Sequence, residues 1–242
     1  MLTEATDLSA ADRRFLYTFA CDEEDAPWMS VAEWHQLALI AVLLPLRWLR
    51  DRLYPEWYVG SEMSVYYRTA EGTKKFVAPD LFVALASRHE RASFDVEEEG
   101  GFPRFVLEIV SEESLARDTG PAEKVRLYGL LGAQEYVIFD PVGRMQPQLR
   151  GYHRDPYGRW VAWEPGPRGE LISNVLGVTL VGEGRLLRLE DAQGRRLLTA
   201  DEEHARADRE QAQAQRERAR AEAAEARVAE LEARIRGGQS PS

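Results

Sequence analysis

One cysteine, Cys21, in 242 residues cannot close an intrachain disulfide, which excludes a covalently stapled small secreted scaffold. No basic segment followed by an apolar one opens the chain, so a cytoplasmic location is expected. Long hydrophobic runs are missing too. The most apolar stretch, Leu37 to Leu46 (LALIAVLLPL), contains Pro45 and leads into Arg47 and Arg50. It is about half of the roughly 20 residues a membrane span needs, so it reads as a core helix and no membrane partner is expected. Positive charge is in deficit: Lys and Arg number 31 against 41 Asp and Glu, a formal net charge of -10. That balance argues against a protein that coats nucleic acid electrostatically, while leaving room for a local basic groove. His35 has no second histidine or cysteine at metal-ligand spacing, so it reads as a packed helix residue. The six tryptophans are dispersed and form no evident base-stacking platform.

What remains is enough for one sizeable core and an appendage, with 44% hydrophobic residues and a mean hydropathy of -0.43. Residues 1–25 are polar and acidic, without a clear period, and are expected to be a mobile arm. A domain over 26–198 and a helical tail over 199–242 follow. Within the domain, Ser30 and Glu33 have capping-box spacing ahead of a long helix expected to kink or break near Pro45. The runs WYVGSEMSVYYRT and KKFVAPDLFVAL read as two neighbouring strands, and FVLEIVS as a third, apolar on both faces. PAEKVRLYGLLG has proline at a helix start and glycine at its end, and EYVIFDP is a fourth strand. LRGYHRD, RWVAWEPG and LLRLED look like an antiparallel extension. From Thr199 to Gly237 alanine, glutamate and arginine dominate, a long helix by propensity, with a partial heptad seam ending in Val228, Leu231 and Ile235.

FVLEIVS places a carboxylate, Glu108, in a strand covered on two sides, where an unpaired charge costs at least several kcal/mol. Asp80, just after Pro79, is a second carboxylate at the start of an apolar strand. Two carboxylates on adjacent strands repel and drive one pKa up unless a cation lies between them. A hard ion such as Mg²⁺ takes oxygen ligands and keeps several waters, so two carboxylates and a main-chain carbonyl suffice from the protein. Lys124, on the helix after the strand and sharing a face with Tyr128, can bring the positive charge that phosphodiester cleavage needs. Taken singly, Asp80, Glu108 and Lys124 read as a strand end, an ion pair and a surface lysine. In this order they point to a metal-assisted hydrolase.

The order Pro79-Asp80, Glu108-Ile109-Val110-Ser111, Asp118, Lys124, Tyr128, Glu135-Tyr136 and Asp140-Pro141 resembles the Uma-type restriction endonuclease family of the PD-(D/E)XK nuclease superfamily. The likeness spans roughly Trp34 to Trp163 and includes His35 and the GSEMSVYY strand. It implies an α/β fold with a restriction-endonuclease-like core, a mixed sheet flanked by helices, here with an antiparallel β extension and a long C-terminal helix or coiled coil. It also implies a metal-dependent endonuclease acting on DNA, with Mg²⁺, or Mn²⁺ as a substitute, held by Asp80, Glu108 and the Ile109 carbonyl. Val110 stands at the superfamily's usual lysine position, and in this family Lys124 supplies that charge. Ser111 reads as the start of a loop and Asp118 as a helix cap. A homodimer is expected, since the tail's apolar seam has no obvious partner within the chain. The competing reading is a catalytically weak or inactive nuclease-fold scaffold that dimerises and recruits partners through its tail.

Overall fold

The computed structural model describes residues 9, 12, 32–110 and 121–237. Ser111, Asp118 and, apart from Ser9 and Asp12, the expected 1–25 arm lie outside the described residues. The chain divides into two compact units, Met1–Leu197 and Leu198–Ser242.

In the first unit helix α1, Glu33–Arg52, runs unbroken through Pro45. Its N-cap is Ala32 with no side-chain cap bond, and Ser30 of the expected Ser30–Glu33 capping box lies outside the described residues. Glu33 in the first turn and Arg50 and Arg52 in the last instead match the helix dipole. Ala38, Leu39, Val42, Leu46 and Leu49 turn inward at helical spacing.

A six-stranded sheet carries the core, in the order β1 (Trp57–Ser61), β4 (Leu81–Leu85), β6 (Phe105–Ile109), β7 (Glu135–Phe139), β8 (Leu149–Arg154) and β9 (Trp160–Ala162). Within this sheet, among the described residues, only β6 and β7 pair in parallel, and helix α2, Pro121–Leu131, lies in their crossover. Every residue of β6 and β7 is buried, as continuous apolar runs covered on both faces should be.

The two expected long strands each break in two. WYVGSEMSVYYRT becomes β1 and β2 (Val65–Arg68), and KKFVAPDLFVAL becomes β3 (Lys74–Val77) and β4. β1 pairs with β4 in the main sheet, whereas β2 pairs with β3 in a second sheet completed by β5 (Phe94–Asp95). The cause is local. Glu62 after β1 has φ 49, the left-handed region that a residue with a Cβ seldom enters, and Pro79 before β4 cannot donate to a ladder. Strands β8 and β9 prolong the main sheet, so the expected antiparallel extension is divided as well. β10 (Leu171–Ser173), β11 (Val178–Glu183) and β12 (Leu186–Glu190) form a third, separate sheet.

Two cores result. Helix α1 and the β10–β12 sheet pack on one face of the main sheet through Leu107, Ile109, Val137 and Phe139. On the other face Val106, Val110, Tyr136 and Ile138 pack against α2 and the β2–β3–β5 sheet. A buried carboxylate ties the third sheet down: Glu135 accepts from Ser173 Oγ at 2.5 Å and from the N–H groups of Asn174 and Val175 at 2.8 and 3.1 Å. The second unit is helix α3, Ala200–Gly237, which begins at a capping box: the Thr199 N–H donates to Glu202 Oε2 and the Glu202 N–H to Thr199 Oγ1. No helix among the described residues is long and apolar enough to cross a membrane.

Candidate active site

Strand alternation decides where Glu108 points. Leu107 and Ile109 belong to the α1 side and Val106 and Val110 to the α2 side, so Glu108 projects toward α2. Its residue exposure is 7%. There Lys124 Nζ donates to Oε2 at 2.8 Å, and the Tyr128 hydroxyl donates to Oε1 at 2.6 Å. Four residues apart on α2, the two donors share one helix face and meet both oxygens of a single carboxylate.

Asp80 reaches the same place from β4. β4 and β6 are antiparallel with Leu81 opposite Leu107, so one step further the register sets Asp80 opposite Glu108. Asp80 Oδ2 accepts the Ile109 N–H at 2.6 Å, and the Asp80 carbonyl accepts the Glu62 N–H at 3.0 Å. The left-handed turn at Glu62 thus seats the start of β4.

His35, read from the sequence as a packing residue, is brought to the site by the first turn of α1. Its Nε2 lies 3.3 Å from Asp80 Oδ1, while its buried Nδ1 has no hydrogen-bond partner among the described residues. Burial lowers its pKa, but the hydrogen bond to Asp80 and the charges of Asp80 and Glu62 outweigh that and leave it raised. The sequence signals were its inclusion in the family likeness and its place in the first turn of a helix, and neither pointed to a strand end far along the chain. Tyr128 was noted as a neighbour of Lys124 on the helix face, and the structure gives it a partner.

Burial pushes the Glu108 pKa up; Lys124 opposes this and the charge of Asp80 adds to it, with a net rise. Burial and the Glu108 charge hold the Tyr128 hydroxyl well above the ordinary phenol range, so it stays a donor. The same two causes act on Tyr136, whose ring lies 4.8 Å from that of Tyr128.

These groups suit a hard divalent cation. Two facing carboxylates concentrate negative charge in a poorly solvated place, and both offer oxygen, as does the Ile109 carbonyl. Each Glu108 oxygen gives one lone pair to Lys124 or Tyr128 and retains acceptor capacity. Among the described residues no group of three His, Cys, Asp or Glu side chains could hold a metal ion. The donor set therefore suits a partly hydrated ion such as Mg²⁺ better than a closed structural site. Val110 is 4% exposed and packed in the α2-side core, and Lys124 is the cation at the carboxylate.

Residues 26–183 match the model of the Uma2 family, described as "Putative restriction endonuclease". The chain belongs to the Uma2 family. The match takes in every element from α1 to β11 and all five residues of the cluster. No curated protein matches the chain. Among solved structures it is similar to a crystal structure titled "a putative nuclease belonging to DUF820" from Anabaena variabilis ATCC 29413. The two share 12% identity over 61% of this chain and 76% of that one, with a TM-score of 0.44.

Proposed function

We propose that this Uma2 protein is a metal-dependent endonuclease of the PD-(D/E)XK type that hydrolyses DNA phosphodiesters. The observation that carries the reading is one buried carboxylate, Glu108, held by Lys124 and Tyr128 and set by strand register opposite Asp80. The family description supports DNA as substrate. Asp80, Glu108 and the Ile109 carbonyl would hold Mg²⁺, or Mn²⁺ in its place. The ion, when bound, supplies Lewis acidity toward a phosphoryl oxygen and lowers the pKa of water.

The chain's own groups do the rest. Tyr128 fixes one oxygen of Glu108, so the other is presented in one orientation. The Lys124 side chain is 30% exposed, and its ammonium has three N–H donors, one of them given to Glu108. As charge builds on the phosphoryl oxygens it can share those donors with them in a partly dry site, where such contacts are worth most. His35 and the Ile109 N–H hold the Asp80 carboxylate at the strand end.

The test is cleavage of plasmid, linear and single-stranded DNA with Mg²⁺ or Mn²⁺ by the parent, Asp80→Ala, Glu108→Ala and Lys124→Ala proteins. All three substitutions should abolish cleavage. Activity that survives unchanged in both Asp80→Ala and Glu108→Ala would rule the reading out.

One observation favours the scaffold alternative: Lys124 and Tyr128 would hold Glu108 in the same way if its role were structural. Thermal stability separates the two, because millimolar Mg²⁺ or Mn²⁺ raises the melting temperature of a metal site and leaves a scaffold unmoved.

A homodimer belongs to the same proposal, with a cytoplasmic location. Opposite its core face, α1 exposes Leu37, Ile40, Leu44 and Trp48 at 54, 48, 38 and 47%, one apolar stripe on a helix already apolar inside. Helix α3 exposes Val228, Leu231 and Ile235 at 55, 44 and 65%. Light scattering that gives a monomer for the full chain would end the dimer reading. A dimer lost in Leu44→Glu but kept without residues 199–242 would assign it to α1.

A further inference from the structure

The chain as a whole is acidic, yet one open groove of about 580 Å³ gathers four arginines from two distant segments. Arg47 and Arg50 come from the last turns of α1, and Arg88 and Arg91 from the loop after β4, joined by His89 and Glu90. Tyr58 and Val59 of β1 form the floor. β1 is the edge of the main sheet, so the groove follows a border with no further strand beside it among the described residues.

Three of the arginines are held in place before any ligand arrives. Asp51 Oδ1 accepts from Arg50 Nε at 2.9 Å and from Arg88 Nη1 at 3.1 Å, and Arg88 Nη2 donates to the Arg50 carbonyl at 2.9 Å. The Arg91 guanidinium is paired with Glu99 and lies 4.0 Å from the centre of the Tyr58 ring. Arg47 is exposed and has no hydrogen-bond partner among the described residues. A guanidinium has five N–H donors, so the contacts of Arg50 and Arg88 leave donors to spare, while the Arg91 side chain, 5% exposed, backs the groove against Tyr58; these fixed positions lower the entropic cost of capturing an anion. Charge alone can guard a sheet edge, but a guard needs no set of same-sign, plane-forming groups drawn from separate elements.

The groove lies on the way to the carboxylates. Tyr58 stands opposite Ala84 and Ser61 opposite Leu81, the residue after Asp80. Four residues of extended β1 separate Tyr58 from the turn at Asp80, roughly 13 Å at 3.4 Å per residue. A nucleic-acid strand rising 3.4 Å per nucleotide covers that in about four steps. Tyr58 packs on the α2 side of the sheet, the side to which Glu108 points, while Val59 packs on the α1 side, so the groove wraps the sheet edge.

We infer that the Arg47–Arg50–Arg88–Arg91 groove binds the phosphodiester backbone of a nucleic-acid strand about four nucleotides from the position at Asp80 and Glu108. The inference rests on the nuclease reading for what happens at the far end of the strand, and on the groove alone for binding.

The experiment measures binding without cleavage. Anisotropy of a fluorescein-labelled oligonucleotide, single-stranded or as duplex, is followed in EDTA between 50 and 200 mM salt. Arg47→Glu and Glu90→Lys are compared with the parent; both positions are exposed, and unchanged melting verifies folding. A lost phosphate contact lowers the salt slope by about one and changes affinity about threefold over that range. Arg47→Glu should weaken binding at 50 mM by at least that factor and flatten the slope, and Glu90→Lys should tighten binding and steepen it. Binding of either oligonucleotide that responds in this way supports the groove. A parent that does not bind at 50 mM salt, or binds with an affinity neither variant alters, overturns it. Groove-dependent binding by the parent without any cleavage would refute the nuclease reading alone, and cleavage with variant-independent binding the groove alone.

Discussion

Lys124→Met removes the cation 2.8 Å from Glu108 Oε2 and keeps the aliphatic stem. The Tyr128 hydroxyl remains, at 2.6 Å from the other oxygen. Breaking a fully buried ion pair by deleting one partner costs about 3–5 kcal/mol, and a hydrogen bond to a charged group contributes about 1.5–3 kcal/mol. Glu108 has a side-chain exposure of 9%, but Lys124 keeps 30%, so water screens the pair and the loss falls at the lower end, about 2 kcal/mol. At about 2–4 °C per kcal/mol for a unit of this size, the melting temperature should fall by roughly 4–8 °C at pH 7.5.

The sign with pH follows from the same carboxylate. Burial raises the Glu108 pKa, Lys124 opposes the rise and Asp80 adds to it. Without Lys124 the pKa rises further. An acid whose folded pKa lies above its unfolded value favours the folded state while protonated, and that advantage is lost as pH rises through the folded pKa. The penalty of Lys124→Met should therefore be small near the ordinary carboxylate pKa of 4.5 and full well above it. Thermal denaturation of both proteins in EDTA at pH 5 and pH 7.5 measures this. An equal depression at both values, or none at pH 7.5, would refute the account of Glu108 as a buried charge held by Lys124.

Three further outcomes are expected. Gly60→Ala would place a Cβ 2.3 Å from the ring of Phe82, which is fully buried and packed edge-on against Phe94 at 5.2 Å; overpacking should cost about 1–3 kcal/mol, and an unchanged urea midpoint would contradict it. Glu135→Gln turns one acceptor of the three-donor cradle into a donor, so about 1–3 kcal/mol should be lost in urea unfolding, and a silent substitution would show that the cradle does not pin the third sheet. For His35, burial is outweighed by Asp80 and Glu62, so the pKa stands above 6.5; its stabilisation is complete below that pH and fades as pH rises through the raised value. His35→Gln should remove this slope from a series of urea midpoints, and an identical slope in parent and variant would assign it to another group.

The residues that carry the candidate chemistry were legible because each broke a local rule. A glutamate inside a run as apolar as FVLEIV, and an aspartate between a proline and LFVAL, conflict with burial unless something compensates. Helix α2 was legible from Pro121 and from Gly132, whose φ of 102 suits glycine at a helix end. The division of WYVGSEMSVYYRT between two sheets was not. Its composition is uniformly strand-like, and the break comes from the left-handed turn at Glu62, a residue with no glycine-like signal, which the Asp80 carbonyl holds. His35 is buried on α1 as expected, but its contact with Asp80 was not legible, because a helical residue's sequence neighbours carry no information about contacts across the fold.

By itself the sequence determined which segments are helix or strand, that one core is large enough to be buried, and that Asp80, Glu108 and Lys124 are candidates. These follow from periodicity, burial cost and helix geometry, all local. Only the tertiary structure decided that Glu108 faces Lys124 and Tyr128, that Asp80 stands opposite it with His35 behind, and that arginines some forty residues apart line one sheet edge. Those are matters of strand register and of which face a helix packs against, and a shift of one residue would turn the same side chains to the other side of the sheet.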